Sequence, residues 1–261
     1  MTVVVTSRFP RSRNPHSDAT VSTEMTPPVT TVADVLERLK AIDRELPPSD
    51  GVKWFNKLYL EVTEQVAASV PGQHQAAPGF LEALDVFFAS RYFDALDAAG
   101  NGAALPAKYP FHAWKPLFEA RFEAGIAPVQ FALAGMNGHI NHDLAICVCA
   151  TCAARGTEPR DDGPEHRDYE SVNGLISKVE KKMKAWMMTG LLKELDLVFN
   201  PVDDTVAVWN MEKARDAAWV RAEVIWSLRA LPPLRDDYEA MNDRAVGFAG
   251  RALLTPVGLA G

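Results

Sequence analysis

The chain has 261 residues, of which 48% are hydrophobic and 23% charged, which is the composition of a globular protein and excludes wholesale disorder. Its net charge of −7 argues against nucleic-acid binding, because neutralising a phosphate backbone requires a concentrated basic surface. No apolar run approaches the roughly 20 residues that span a bilayer. These features predict one large soluble domain with no membrane span.

Cysteine usage and the amino terminus bear on where the protein works. The cysteines Cys147, Cys149 and Cys152 are odd in number and crowded, which makes a poor disulfide framework and is typical of a reducing compartment. The apolar run at residues 3–5 is too short for the core of a signal peptide. We therefore predict a cytoplasmic protein.

Residues 1–30 are rich in Ser, Thr, Pro and Arg and show no apolar periodicity. Such a segment cannot bury enough surface to offset the entropy that it would lose on ordering. We predict a disordered N-terminal lead over residues 1–30, followed by a single all-α domain over residues 31–261.

From residue 31 onwards, apolar residues recur at intervals of three and four, which is the pattern of amphipathic and buried helices. Prolines, glycines and capping residues such as Asn210 mark the helix ends, and no period-two pattern predicts a strand. The sequence therefore predicts an all-α fold of about eight helices around a buried central helix. The helices are expected at residues 31–46, 52–70, 80–99, 117–124, 128–154, 166–199, 211–230 and 234–254, with a structured loop at 101–116.

The central helix, residues 128–154, carries an unusual polar midsection. Its two ends are apolar all round, which is the mark of a buried helix. Polar groups buried in such a helix cost free energy unless something satisfies them, so their concentration there indicates a functional site. The polar residues of the midsection are Asn137, His139, Asn141, His142 and Asp143.

His139 and Asp143 are four residues apart and therefore share one face of the helix. At that spacing the pair can bind a divalent cation, or Asp143 can orient and polarise His139 as a general base. Asn137 and Asn141 form a second pair that can hold a water or a substrate carbonyl. We predict His139, Asp143 and Asn141 as catalytic residues. The alternative is a buried hydrogen-bond network that joins the helix to its neighbours, and the spacing leaves both open.

A metal ion would need ligands from other helices, because two helical ligands are fewer than protein metal sites use. The plausible donors are Glu61, Asp85, His112 and Asp216, each of which also has an ordinary structural role open to it, such as an ion pair or loop packing. The predicted metal ligands are His139, Asp143, Glu61 and Asp85. The cofactor, if one is present, is expected to be a divalent metal ion.

Substrate contacts are predicted for Asn137 and for three aromatic residues that could line an apolar cavity: Trp54, Tyr92 and Trp219. Aromatic residues at helical spacing are equally typical of an ordinary core. No phosphate-binding loop, nucleophile elbow or dinucleotide fingerprint is present in the sequence.

Four segments resemble the signature blocks of a family of uncharacterised all-helical bacterial proteins known as a domain of unknown function: residues 54–59, 131–144, 168–173 and 248–251. The resemblance covers nearly all of the chain after about residue 33. The family's His-Ile-Asn-x-Asp-Leu motif matches His139 to Leu144, with His142 at the variable position. The resemblance thus favours His139 and Asp143 over His142, and it implies no established activity.

A weaker comparison is with zinc-dependent phospholipase C and the related single-strand nucleases, which are all-α and use His-x-x-x-Asp pairs on helices. Those sites need many histidines and a second such pair, whereas this chain has six histidines and one pair. The comparison therefore does not predict a three-zinc site.

The combined pattern favours an enzyme that acts on a small, partly apolar metabolite at the His-x-x-x-Asp site. A metal-dependent hydrolase and a proton-transfer lyase or cyclase would both suit these groups. The alternatives are a non-catalytic helical protein that binds a small molecule, and a purely structural polar cluster with the function elsewhere. The expected partner is a small-molecule ligand or substrate.

Overall fold

The computed structural model describes residues 29–69, 74–100, 112–179, 181, 185 and 210–256. Within these ranges the protein is all-helical and contains no strand, as the sequence predicts. The α-helices are α1 (Val32–Glu45), α2 (Gly51–Ser69), α3 (Phe80–Ala99), α4 (Lys115–Ala120), α5 (Pro128–Gly138), α6 (Leu144–Arg155), α7 (Pro164–Ser171), α8 (Met211–Ser227) and α9 (Pro232–Leu253).

Helix ends form where side chains satisfy the first backbone amides. The Thr31 hydroxyl accepts from the Asp34 amide at 3.1 Å, and the Asp34 carboxylate accepts from the Thr31 amide at 2.9 Å, which is a capping box at the start of α1. Asn210 accepts from the Lys213 amide at 2.9 Å, so the predicted cap of α8 is confirmed.

The centre of the fold is a rod made of α5, a five-residue π-helical turn at His139–Asp143, and α6. The helices α2, α3, α8 and α9 pack against this rod. Gly135 allows α2 to approach closely, since a Cβ at this position would lie 2.3 Å from the ring of Phe55. With the rod counted as one helix, the helices listed for the described ranges number eight, as predicted, and the burial of the rod confirms the predicted central helix.

The C-terminal helix α9 closes against the segment that precedes α4. Asp243, which is buried, accepts from the backbone amides of His112 at 3.2 Å and Ala113 at 2.9 Å. A Cβ on Gly247 would lie 2.1 Å from the backbone oxygen of His112, so only glycine fits there. This contact sets α9 against the middle of the rod.

Several helix bounds differ from the prediction, most of all those of α4 and α7. The helix expected at 117–124 spans Lys115–Ala120, so it begins within the predicted loop and ends before Arg121, which binds the Asp50 carboxylate. The helix expected from residue 166 begins at Pro164, and a turn at Val172 separates α7 from helical residues 173–179. The predictions for residues 1–28, 101–111 and most of 180–209 lie outside the described residues.

None of the helices in the described ranges combines the length and apolarity that a bilayer crossing requires. Cys147, Cys149 and Cys152 are all free thiols, and the first and last of them are buried in the rod.

Candidate functional site

The polar midsection coincides with the π-helical turn His139–Asp143. Its hydrogen bond runs from the Leu144 amide to the His139 carbonyl, five residues earlier, so the turn accommodates one residue more than an α-helix would. Turns of this kind inside α-helices occur frequently at functional sites. No pattern in the sequence predicts the turn, because the segments on both sides of it are apolar all round and show no stripe whose position could reveal an extra residue.

Asp143 is a buried carboxylate that its neighbours keep ionised. Its Oδ2 accepts from the Trp114 indole at 2.8 Å, and its Oδ1 lies 2.8 Å from Nδ1 of His142 and 3.4 Å from Nε of Arg91. Burial alone would raise the pKa of Asp143, but His139, His142 and Arg91 together hold the pKa well below its ordinary value. A fixed negative charge therefore lies at the end of the π turn.

His139 is 1% exposed and is oriented by packing. Its ring stacks on Phe88 with the centroids 3.4 Å apart, and Tyr59 meets it edge-on at 4.5 Å. Its Nδ1 lies 3.7 Å from Oδ2 of Asp143, which is an electrostatic contact and too long for a hydrogen bond. Burial lowers the pKa of His139, so the imidazole is neutral near pH 7.

A cavity of about 90 Å³ lies beside His139, between α2, α3, α8 and the rod. Most of its wall is apolar, contributed by side chains such as Val62, Leu84 and Ile140. The polar or charged residues of the wall are Tyr59, Thr63, Asp85, His139 and Arg215.

Three of these polar groups have buried atoms without a hydrogen-bond partner among the described residues: both ring nitrogens of His139, Oδ2 of Asp85 and the hydroxyl of Tyr59. Asp85 as a whole residue keeps some exposure, whereas its Oδ2 is inaccessible to solvent. Desolvation raises the pKa of Asp85 to about 7. Desolvation also raises the pKa of Tyr59, and the nearby charge of Asp85 adds to this shift. Unsatisfied buried polar groups are costly, so their presence in one cavity points to a ligand.

Asn137 and Asn141 lie on another side of the rod and do not line this cavity. The Asn137 amide donates to the Val246 carbonyl at 2.9 Å, Asn141 donates to Asn137 at 3.1 Å, and Asn242 donates to the Asn141 carbonyl at 3.1 Å. These bonds join the rod to α9, so the structural alternative describes the two residues best. The predicted catalytic role of Asn141 and the predicted ligand contact of Asn137 have no support from these contacts.

The three predicted aromatic contacts also lie away from the cavity wall. Tyr92 is fully buried and donates to Asn56 at 3.3 Å. Trp219 packs against Tyr169 at 4.9 Å, and Trp54 is half-buried against the core. All three side chains pack as ordinary core residues, which is the alternative that their helical spacing left open.

The predicted metal ligands are not gathered into one site. No group of three or more His, Cys, Asp or Glu residues in the described ranges is placed to hold a metal ion. Asp85 lines the cavity with His139, whereas Glu61 does not. His112 lies 2.8 Å from Asp243 instead, and Asp216 is exposed. The divalent metal stays a prediction of the sequence.

Tyr59 and Arg215 line the cavity but are not among the site residues predicted from the sequence. Arg215 is 8% exposed and lies on the buried stripe of α8 between Met211 and Ala218. A single charged residue on an otherwise apolar stripe was the available signal, because a charge is buried only at a cost.

A comparison with known families places this geometry in context. A family of unknown function, DUF5995, matches residues 32–256. The chain belongs to this family. The match spans every helix described above, so the cavity and the π turn both lie within the family's domain. No curated protein and no solved structure shows significant similarity to this DUF5995 chain.

Proposed function

We propose that the protein is an enzyme that moves protons on a small, partly apolar molecule bound in the cavity, with His139 as general base and Asp85 as general acid. One observation carries this proposal: a single apolar cavity holds a histidine and an aspartate whose buried nitrogen and oxygen atoms lack partners among the described residues. In enzymes, such pairs of groups often carry the acid and base roles.

The surroundings move the two pKa values in opposite directions. Burial lowers the pKa of His139 and leaves a neutral imidazole that can accept a proton. Burial raises the pKa of Asp85 to about 7, so near neutral pH a large fraction of its carboxyl groups can donate one. The directions of the two shifts thus suit a neutral base at His139 and a protonated acid at Asp85.

Asp143 supports His139 in the role of base. Because its Oδ2 lies 3.7 Å from Nδ1, it favours a proton on that nitrogen and leaves Nε2 with the lone pair. When Nε2 takes a proton, the ionised carboxylate stabilises the imidazolium that forms. Trp114 and His142 keep Asp143 in place during this change.

Elimination, with its reverse addition, is the reaction class that suits the cavity best. His139 would take a proton from carbon while Asp85 gives a proton to the departing oxygen, so that water or an alcohol leaves and a double bond forms. The apolar wall keeps bulk water from the groups, which favours this chemistry over hydrolysis.

The test is metabolite profiling in deuterated buffer. Wild-type protein is incubated with a bacterial metabolite extract, and mass spectrometry and proton NMR record compounds that are consumed, formed or deuterated. We expect changes with wild type that are absent with His139→Gln and with Asp85→Asn. The matched control is Asp94→Asn, which alters an exposed carboxylate on the same helix as Asp85. If the wild-type and His139→Gln proteins leave the same extract, the catalytic proposal is wrong.

A non-catalytic binding role is the second candidate, and the mainly apolar wall favours it. In that case native mass spectrometry would find a bound molecule that is released unchanged, and His139→Gln would alter affinity only. Within either proposal the partner is a small molecule, and a cytoplasmic location suits the free thiols.

A further inference from the structure

Arg215 is a buried cation in the cavity wall that forms no ion pair with a carboxylate of the described residues. It is 8% exposed, and no Asp or Glu of the described ranges forms an ion pair with it. Its neighbour in sequence, Asp216, is exposed on the other side of α8. A buried charge without a counter-ion is costly, so its position calls for an explanation.

Neutral groups hold the guanidinium in a fixed plane. Its Nε donates to Asn173 Oδ1 at 2.8 Å, its Nη2 donates to the Tyr169 carbonyl at 2.6 Å, and its carbon lies 3.9 Å from the centre of the Tyr169 ring. An arginine has five N–H donors, so these two bonds leave three without a partner among the described residues. The side chain is therefore oriented but not neutralised.

Asp85 does not serve as the missing counter-ion. Desolvation is the cause that raises the pKa of Asp85, with no offset from a neighbouring positive charge. Asp143 is already bound by Trp114 and His142 and does not line the cavity. Glu170 is linked to the guanidinium only through Asn173, whose amide donates to the Glu170 carboxylate at 2.9 Å, so no acidic side chain in the described ranges binds Arg215 directly.

We infer that the molecule bound in this cavity is a short apolar monocarboxylate, with its carboxylate on Arg215 and its hydrocarbon part against the apolar wall. The inference rests on the proposed function for the identity of the site. The planar fork of arginine fits a carboxylate with two parallel hydrogen bonds. A second carboxylate would be buried against the apolar wall without a counter-charge, which disfavours dicarboxylates.

The cavity also limits the size of the ligand. Its volume is about 90 Å³, and Val172 and Ile176 lie in the same wall as Arg215. Because an apolar cavity of about 150 Å³ can hold the six carbon atoms of benzene, about four non-hydrogen atoms fit in the 90 Å³ of this cavity. Acetate and propanoate are therefore suitable probes, and acetamide and propanamide are their uncharged counterparts.

The experiment measures binding of these four probes by calorimetry and by ligand-observed NMR at pH 7.5. We expect wild type to bind the better carboxylate at least about tenfold more tightly than its amide, since a hydrogen bond to a charged group is worth more than a neutral one. Arg215→Gln should remove this preference. Arg221→Gln, on the same helix but outside the cavity wall, should keep it.

Arg215→Lys covers the case in which Arg215→Gln does not fold. It keeps the charge but loses the fork, so the preference should fall without vanishing. The inference is overturned if wild type binds carboxylate and amide equally, or binds neither at millimolar concentration. Turnover of an uncharged substrate alone would overturn it and leave the proposed function standing. A preference for carboxylate over amide without any turnover would support the inference about Arg215 and contradict the proposed catalytic function.

Discussion

The imidazole of His139 lies flat against the phenyl ring of Phe88, with centroids 3.4 Å apart and planes inclined by 7°. Neither ring nitrogen has a hydrogen-bond partner among the described residues. The ring is therefore oriented by packing, whereas hydrogen bonds orient most functional histidines. Phe88 also lines the cavity, and it therefore controls both the orientation of the imidazole and its exclusion from water.

Replacing Phe88 with Leu should loosen this arrangement. The smaller side chain admits water, so the pKa of His139 should rise towards its ordinary value, and stability should fall by about 1–2 kcal/mol. Because the folded-state pKa of His139 is lowered, the unfolded state binds more protons below the unfolded pKa of about 6.5, and stability falls as the pH falls. Phe88→Leu should make this loss of stability at low pH smaller. Nitrogen-15 NMR titration and denaturant unfolding from pH 5 to 8 measure both effects. Phe87→Leu, at an exposed neighbour, should change neither.

Asp85→Asn should stabilise the protein while abolishing its activity. The folded-state pKa of Asp85 is raised to about 7, so ionisation costs stability as pH rises from about 4 to 7 and the cost is complete above that range. With the residual exposure of the residue taken into account, the gain from Asp85→Asn at pH 8 should be about 2–3 kcal/mol, and near zero at pH 4. Urea unfolding at both pH values measures the gain. An equal effect at pH 4 and pH 8 would contradict the raised pKa.

Asp143→Asn should be strongly destabilising. The carboxylate accepts from Trp114 and contacts Arg91 and His142, and losing its charge leaves these groups poorly satisfied, at a cost of about 2–4 kcal/mol. The folded-state pKa is lowered, so this stabilisation is present above the unfolded pKa of about 4 and is lost as pH falls further. Unfolding free energies of wild type and variant should therefore converge below pH 4. Curves that stay parallel down to pH 2 would be the contrary result.

Gly247→Ala should lower the stability of the protein, whereas Gly174→Ala should raise it. A Cβ on Gly247 would meet the backbone oxygen of His112 at 2.1 Å, and a backbone atom cannot move aside cheaply, so the loss should exceed about 2 kcal/mol. A Cβ on Gly174 meets nothing within 4 Å in a helical segment, so alanine there should stabilise by about 0.5–1 kcal/mol. Thermal melts of the two variants provide the comparison. Similar shifts in both would show that α9 is not seated as described.

Helix positions could be predicted because they depend on spacing and caps that are local in sequence. The bounds of α3 agree with the prediction at both ends, and the polar stretch around His139 was correctly placed in a buried rod. The roles of the two sides of this rod could not be predicted. Which side of the rod meets α9 and which meets the cavity is set by the helices that pack around it, and a rod that is apolar at both ends carries no local pattern that identifies those helices.

The residues of the candidate site could likewise be predicted only in part. The sequence predicts Asp85 as a metal ligand, and the structure places it in the cavity wall with its Oδ2 buried. Asn137, Tyr92 and Trp219 were selected by residue type, yet their partners lie on other helices, and only the packing of the chain reveals that Val246, Asn56 and Tyr169 occupy them. Long-range pairing of this kind has no signal in one sequence.

The π turn also links the two ends of the rod. Because the turn absorbs one extra residue, deleting one residue within 139–143 would restore a regular α-helix and leave the faces of α6 where they are. Cys147, Val148 and Cys152, each at most 1% exposed, would then stay in the interior. A single-residue deletion would thus change the relative position of His139 and Asp143 while the distal half of the rod stays packed, so the chemistry at His139 can be perturbed without unfolding the core.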